Sequence, residues 1–265
     1  RNVEFPKEIQ LESLYMRGVA IDFAYLEMLI PSCENSLQVL DISRCKNMTR
    51  QAIELVVSRC LRLTEVNFCG LKHATFICNN LTPNIEKVSL ASTDASAEDI
   101  KMLVRRCNKI KELDISHTKI VIVEVTDEII LYLWSTLEKL SLPTTYSGST
   151  FSPSFSQFDR CPLFKLGSMP KLKYIWSFVR HGMKRIMDLW KKQFPNVVLS
   201  CHNHFLCRNY CNYTQHCRPT IAPNPNIAKS MSLKETIWEI PCESIKLSDL
   251  PEQYSEEDKN NATSI

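Results

Sequence analysis

The residue types best suited to chemistry gather late in the chain, at Cys201, His202, His204, Cys207, Cys211, His216 and Cys217. Thiolates and imidazoles of this kind are the ligands of tetrahedral zinc. Their spacing is C-x5-C-x3-C-x5-C, with neither a C-x2-C pair nor a matched second pair, which argues for thiols that pack or stay exposed rather than for a metal centre. A Cys/His nucleophile pair is no better supported, because no oxyanion-hole signature and no orienting third group accompany it. His73, His117 and His181 stand alone along the chain, and surface or interface roles are the default for them. No P-loop, paired-carboxylate or H-E-x-x-H motif occurs. The sequence therefore leads to the expectation of a protein without catalytic residues, metal or cofactor, whose function lies in a surface.

The elements that would carry such a surface follow one period. Residues 37–49 read L-x-x-L-x-L-x-x-C-x-x-x-T, the cysteine-bearing form of a leucine-rich repeat. Its anchors recur as Leu11/Leu14/Met16, Leu37/Leu40/Ile42, Leu63/Val66/Phe68, Ile85/Val88/Leu90, Ile110/Leu113/Ile115, Leu137/Leu140/Leu142 and Leu172/Ile175, with a last strand near 197–199. First anchors at 11, 37, 63, 85, 110, 137, 172 and 197 are separated by 26, 26, 22, 25, 27, 35 and 25 residues. All but one of these intervals fit the roughly 20–29 residues of such units. An ordinary α/β sheet would show variable spacing and Gly-rich turns, whereas this chain has only five glycines and no GxGxxG run. The expected fold is α/β, a leucine-rich-repeat solenoid with parallel strands lining a hollow and helices outside.

Amphipathic helices are expected between strands, around Leu26/Leu29/Ile30, Ile53/Val56/Val57, Ile100/Leu103/Val104, Ile129/Leu133 and Ile186/Leu189/Trp190. Ser96-Ala97-Glu98-Asp99 offers a helix start, and Arg105-Arg106 a matching end. The 35-residue interval contains an aperiodic stretch, 144–161, read as a surface loop. The organisation expected is a repeat body over 1–201, a tail over 202–250 folding back across the hollow, and a disordered end over 251–265. Because a solenoid end needs covering, a missing upstream segment is also expected.

Composition narrows the partners. The apolar fraction of 44% and charged fraction of 23% are those of a globular protein, and no apolar run approaches a membrane span. A net charge of +3, evenly spread, gives no reason to expect nucleic acid. Cys33, Cys60 and Cys107 recur where each helix turns toward its next strand, which suits core thiols in a reducing compartment. The sequons at Asn47, Asn80, Asn212 and Asn261 then carry little weight.

Strand positions facing the hollow form columns. Val39, Glu65, Lys87, Glu112, Lys139 and Tyr174 make one, and Asp41, Asn67, Ser89, Asp114, Ser141 and Trp176 the next. Ser43, Cys69, Ala91, Ser116, Pro143 and Phe178 make a third. Three aromatics at one end, Tyr174, Trp176 and Phe178, describe a ring-rich patch of the kind that marks a partner site or lies under a cap.

The words His204-Phe205, Arg218-Pro219-Thr220-Ile221 and Ile237-Trp238-Glu239-Ile240-Pro241-Cys242, after Pro195-Asn196-Val197-Val198-Leu199-Ser200-Cys201, resemble the C-terminus of the S-phase kinase-associated F-box/leucine-rich-repeat protein family. Leu103-Val104-Arg105-Arg106-Cys107 and Leu113-Asp114-Ile115-Ser116 resemble its repeats. The resemblance implies the substrate-recognition part of an SCF-type (cullin-RING) ubiquitin ligase, in the nucleus and cytoplasm, joined to an adaptor and cullin through an F-box upstream. It implies a protein target, phosphorylated in the family and captured there with a small cyclin-kinase-subunit accessory protein. By position the resemblance carries contact aromatics onto Tyr146 and Phe205; with Asp114, His117, Tyr174, Trp176 and Phe178 along the hollow these are the partner-binding residues expected, with tail contacts at Arg218, Ile237 and Trp238. The chain departs from the family after successive strands, where a tryptophan, an arginine, an aspartate and an arginine give way to Gly70, Asp94, His117 and Thr144. The ligase role is thus better supported than any shared substrate, and an interaction scaffold outside a ligase is the alternative.

Overall fold

The computed structural model describes residues 10–143, 162–177 and 184–201. Strands and helices alternate: β1 (Ser13–Tyr15), α1 (Phe23–Cys33), β2 (Val39–Asp41), α2 (Arg50–Arg59), β3 (Glu65–Asn67), α3 (Ala74–Asn80), β4 (Lys87–Ser89) and α4 (Ala97–Arg106). They continue with β5 (Glu112–Asp114), a 3-10 turn at Ile122–Glu124, α5 (Thr126–Leu133), β6 (Lys139–Ser141), α6 (Pro162–Gly167), β7 (Tyr174–Ser177), α7 (Lys184–Gln193) and β8 (Val198–Cys201). The eight strands form one open, all-parallel sheet in chain order, β1 to β8. Consecutive helices from α1 to α6 pack on one another.

The register is the one the apolar spacing requires. Leu14, Leu40, Val66, Val88, Leu113, Leu140, Ile175 and Leu199 stand side by side, each on the strand next to the last. From Leu40 onward this row is buried, with Ile42, Phe68, Leu90 and Ile115 behind it and Ile53, Ile77, Ile100 and Ile129 from the helices. Because side chains alternate across a strand, a slip of one residue would turn the whole row toward the opposite face. Truncating one member to alanine is worth about 2–5 kcal/mol.

Helix starts are set by short polar side chains. The Asp22 carboxylate accepts from the Ala24 N–H, and the Thr49 hydroxyl from that of Ala52. Ser96 and Asp99 bond reciprocally in a capping box, while Arg105 and Arg106 lie in the last turn of the same helix. Helix α3 is shorter than its neighbours and α6 shorter again, and neither shows enough apolar periodicity to be read from the sequence. The C-terminal end is held by Phe164, Trp190 and Phe194, whose ring centroids lie 4.7–5.7 Å apart. The Trp190 indole N–H donates to the Val197 carbonyl over 2.9 Å. Gly167 lies against these rings, and a Cβ there would stand 2.6 Å from Trp190 and 2.8 Å from Phe194.

Candidate functional site

The strand positions expected to face the hollow show their contacts among the described residues, Phe178 lying outside them. In the first column, Glu65, Lys87, Glu112 and Lys139 alternate in sign on adjacent strands. Lys87 pairs with Glu65 at 2.8 Å and Lys139 with Glu112 at 3.5 Å. One residue earlier the signs run opposite, with Lys111 on Glu86 at 2.7 Å and Lys173 on Glu138 at 2.6 Å. Burial works against the Lys87 cation, yet the hydrogen bond and charge of Glu65, aided by Glu112 and Glu86, hold its ammonium above the ordinary lysine range. The middle of the face thus neutralises its own charge.

The second column belongs to the wall rather than to the surface. Asp41, Asn67, Ser89 and Asp114 are all buried, and each accepts a hydrogen bond from the backbone N–H two residues on, at Ser43, Cys69, Ala91 and Ser116. Asn67 also donates to Asp41 over 3.1 Å, and the Ser89 hydroxyl to Asp114 over 3.1 Å. These side chains close the turn that ends each strand, as Asp, Asn and Ser do in Asx-type turns. Asp114, expected as a partner-binding residue, is only 6% exposed and has both carboxylate oxygens engaged. Desolvation raises its pKa, opposed by the hydrogen bonds from Ser116 and Ser89. From this position it shapes the face from beneath. The signal was present in the sequence as a turn-forming residue at the same place in four successive strands.

Beyond the strands, the ladder continues for two residues. Gly18, Arg44, Gly70 and Ser92 donate from their backbone N–H groups to Ser43, Cys69, Ala91 and Ser116 at 2.8–2.9 Å. Gly18, Arg44, Gly70, Ser92 and His117, one per unit, all adopt positive φ. Glycine suits this position, and the three other residues hold it at a steric cost. His117 is half-buried there, one turn beyond Asp114. At Gly70 a Cβ would stand 3.2 Å from the Arg44 Cγ, so the arginine stem lies close against this position. Asp94, where that family would place an arginine, accepts from His73 N–H at 3.2 Å and Ala74 N–H at 2.9 Å. Its carboxylate supplies the cap that α3 lacks from its own preceding residue.

Tyr174 and Trp176 come together as expected. They lie two residues apart on β7, on the same face, with ring centroids 5.4 Å apart and planes 16° from parallel. Tyr174 is buried while Trp176 keeps part of its surface open. Tyr146, Phe178, Phe205, Arg218, Ile237 and Trp238 lie outside the described residues, as do Thr144 and the Cys/His cluster from His202 onward.

Six cysteines among the described residues, Cys33, Cys45, Cys60, Cys69, Cys78 and Cys107, are buried thiols outside any disulfide. Cys33 and Cys107 donate to the Leu29 and Thr82 carbonyls over 3.4 and 3.3 Å, and Cys45 to Met16 over 2.8 Å. Burial, with the charges of Cys33 and Glu34, pushes Cys60 up to about 12. Such thiols pack and bond; they do not react. Among the described residues no group of three or more His, Cys, Asp or Glu is placed to hold a metal ion, and no helix is long and apolar enough to cross a membrane. No family model matches the chain.

Proposed function

We propose that this chain is a leucine-rich-repeat solenoid whose strand face binds another protein, and that it serves as the substrate-recognition part of an SCF-type ubiquitin ligase. The solenoid reading is supported by one strand and one helix per sequence period, taken in chain order in a single parallel register. The binding reading rests on one observation above others. Along a face whose charges pair and whose polar side chains close turns, the stacked rings of Tyr174 and Trp176 form a platform with part of its surface open. Partly buried aromatics are the residues that dominate interface energies. The ligase assignment rests on the resemblance of the tail and repeat words. Its chemistry is proximity: a receptor holds a target where a ubiquitin-charged enzyme on the same scaffold reaches a lysine. The changes at Gly70 and Asp94 favour a target different from that of the resembled family.

The test is affinity purification of the full-length protein. Recovery of an F-box adaptor and a cullin is expected; a stable complex containing neither selects the rival reading of a scaffold outside the ligase.

A further inference from the structure

We infer that the free edge of the sheet at β1 is a docking surface for a second copy of this chain, which pairs there edge to edge about a two-fold axis. β1 stands first in the sheet and has a neighbouring strand on one side only. The Met16 N–H donates to the Asp41 carbonyl at 2.7 Å and the Val39 N–H to the Glu12 carbonyl at 2.9 Å, so the even-numbered residues turn their backbone toward β2. Ser13 and Tyr15, alternating with them, turn theirs away. Their N–H and C=O groups meet no hydrogen-bond partner among the described residues. Such an edge is open to pairing unless proline or charge blocks it, and Ser13-Leu14-Tyr15 carries neither.

The opening runs through both layers of the fold. Leu11, Leu14, Met16 and Leu29 are only partly buried, whereas Leu37, Leu40, Ile42 and Val56, their counterparts one unit on, are at 0% exposure. In the helix layer, the third residue beyond the cap faces the preceding helix: Phe76 lies under the Arg50 guanidinium at 4.9 Å, Asp99 accepts from the Thr75 hydroxyl at 3.2 Å, and Glu128 accepts from Arg105 at 2.8 Å. In α1 that place is held by Tyr25, 57% exposed. On the hollow side Tyr15, 64% exposed, stands in the row where Asp41, Asn67, Ser89 and Asp114 are buried. A lone extended peptide would pair with the strand and leave the helix layer open. A second copy brings both layers, and the edge is complementary to itself. With Leu14 on the axis, Ser13 of one copy lies opposite Tyr15 of the other, each with one donor and one acceptor, so about four hydrogen bonds form and none of these groups is left over. The two Leu14 side chains meet beneath the strands, and the two Tyr25 rings close over the helix layer. The eight-stranded sheet continues into its mate, with a Tyr174/Trp176 platform toward each far end. Two platforms suit a target that carries its recognition segment twice.

Dimerisation at β1 goes beyond the binding role of the strand face and does not depend on it, so the two fail separately. The test is sedimentation equilibrium of the full-length protein over the micromolar range, where the wild type is expected to dimerise. Tyr25→Glu is expected to raise the dimer dissociation constant about tenfold. Ser13→Pro, which removes a donor from the free edge and none from the β1–β2 ladder, is expected to raise it by about as much. Tyr25 is exposed, so its variant keeps the test valid if proline at position 13 disturbs the strand. Leu61→Glu, the same kind of change at an exposed apolar residue of another unit, is expected to dimerise as the wild type does. Amide exchange at Ser13 and Tyr15 is expected to be slow in the dimer and to quicken on dilution. A wild type that stays monomeric overturns the proposal, whether those amides exchange freely or are protected at every dilution by another part of the same chain. So does a dimer that Tyr25→Glu and Ser13→Pro leave unchanged, or one that Leu61→Glu weakens equally. Trp176→Ala is expected to dimerise as the wild type does; loss of the dimer there would place the contact at the platform and overturn the assignment to β1.

Discussion

Asp94 caps the helix that begins at Ala74 from the neighbouring repeat, accepting the backbone N–H of Ala74 at 2.9 Å. The bond crosses from one unit to the one before it, so a residue that looks like a charge reversal on a recognition surface is a structural clamp. Asp94→Ala is expected to cost about 1 kcal/mol, the usual loss for an N-cap. Asp94→Arg, which would restore the resembled family's residue, is expected to cost more, since it sets a cation against the positive end of the helix. Urea midpoints of the two variants against wild type decide it, and an arginine variant as stable as wild type would remove the clamp.

The left-handed turn column gives two substitutions of opposite sign. Ser92 sits at φ +56 with its hydroxyl oxygen buried and without a hydrogen-bond partner among the described residues. Ser92→Gly is expected to gain about 0.5–1 kcal/mol, because the backbone strain goes and a buried polar atom goes with it. Gly70→Ala is expected to lose about 1–2 kcal/mol, through φ +74 and the Arg44 stem 3.2 Å from the new Cβ. Thermal or urea unfolding reads both, and the same sign for the pair would contradict the account.

Asp114 ties stability to pH. Burial raises its folded pKa above the unfolded value, so above that folded pKa the charged carboxylate costs stability in full. As pH falls through the folded pKa the cost is relieved, and it is gone below the unfolded value. Asp114→Asn, which keeps an acceptor for the Ser116 N–H, is expected to be at least as stable as wild type at neutral pH. Its advantage should shrink in acid. Urea midpoints across the acidic range test this, and an advantage that grows as pH falls would reverse the sign argued here.

The buried thiols predict a labelling pattern. Cys45, Cys69 and Cys107 are pushed up to about 11, each mainly by burial, and Cys60 to about 12. Iodoacetamide at neutral pH is therefore expected to leave these four unmodified in the folded protein and to modify all of them in denaturant. Peptide mass spectrometry reads each site, and prompt native labelling of Cys60 would place it outside the core.

The strand register was legible because Leu40, Val66, Val88, Leu113 and Leu140 recur with their partners two residues on, and that period has one solution as a parallel sheet. The alternation of Glu65, Lys87, Glu112 and Lys139 was equally plain, although only the folded structure shows the charges paired. The burial of Asp114 was not legible, because alternation assigns a strand residue to a face without saying whether its side chain leaves the backbone. Helix α3 escaped notice because Ala74–Asn80 spans two turns, too short for a 3.6-residue period to declare itself, and because its cap comes from another repeat. The Arg44 stem over Gly70 was equally hidden, since it depends on a left-handed turn that glycine suits best and that the sequence gives to arginine at one position and glycine at the next.

The most direct test of the central claim is a photocrosslink from the strand face. A benzophenone amino acid placed at Trp176 in the full-length protein is expected to crosslink a target protein, while the same group at Leu131, 68% exposed on α5, is expected to crosslink none. Crosslinks from Leu131 with none from position 176 would place recognition on the helices and contradict the assignment of the strand face as the binding surface.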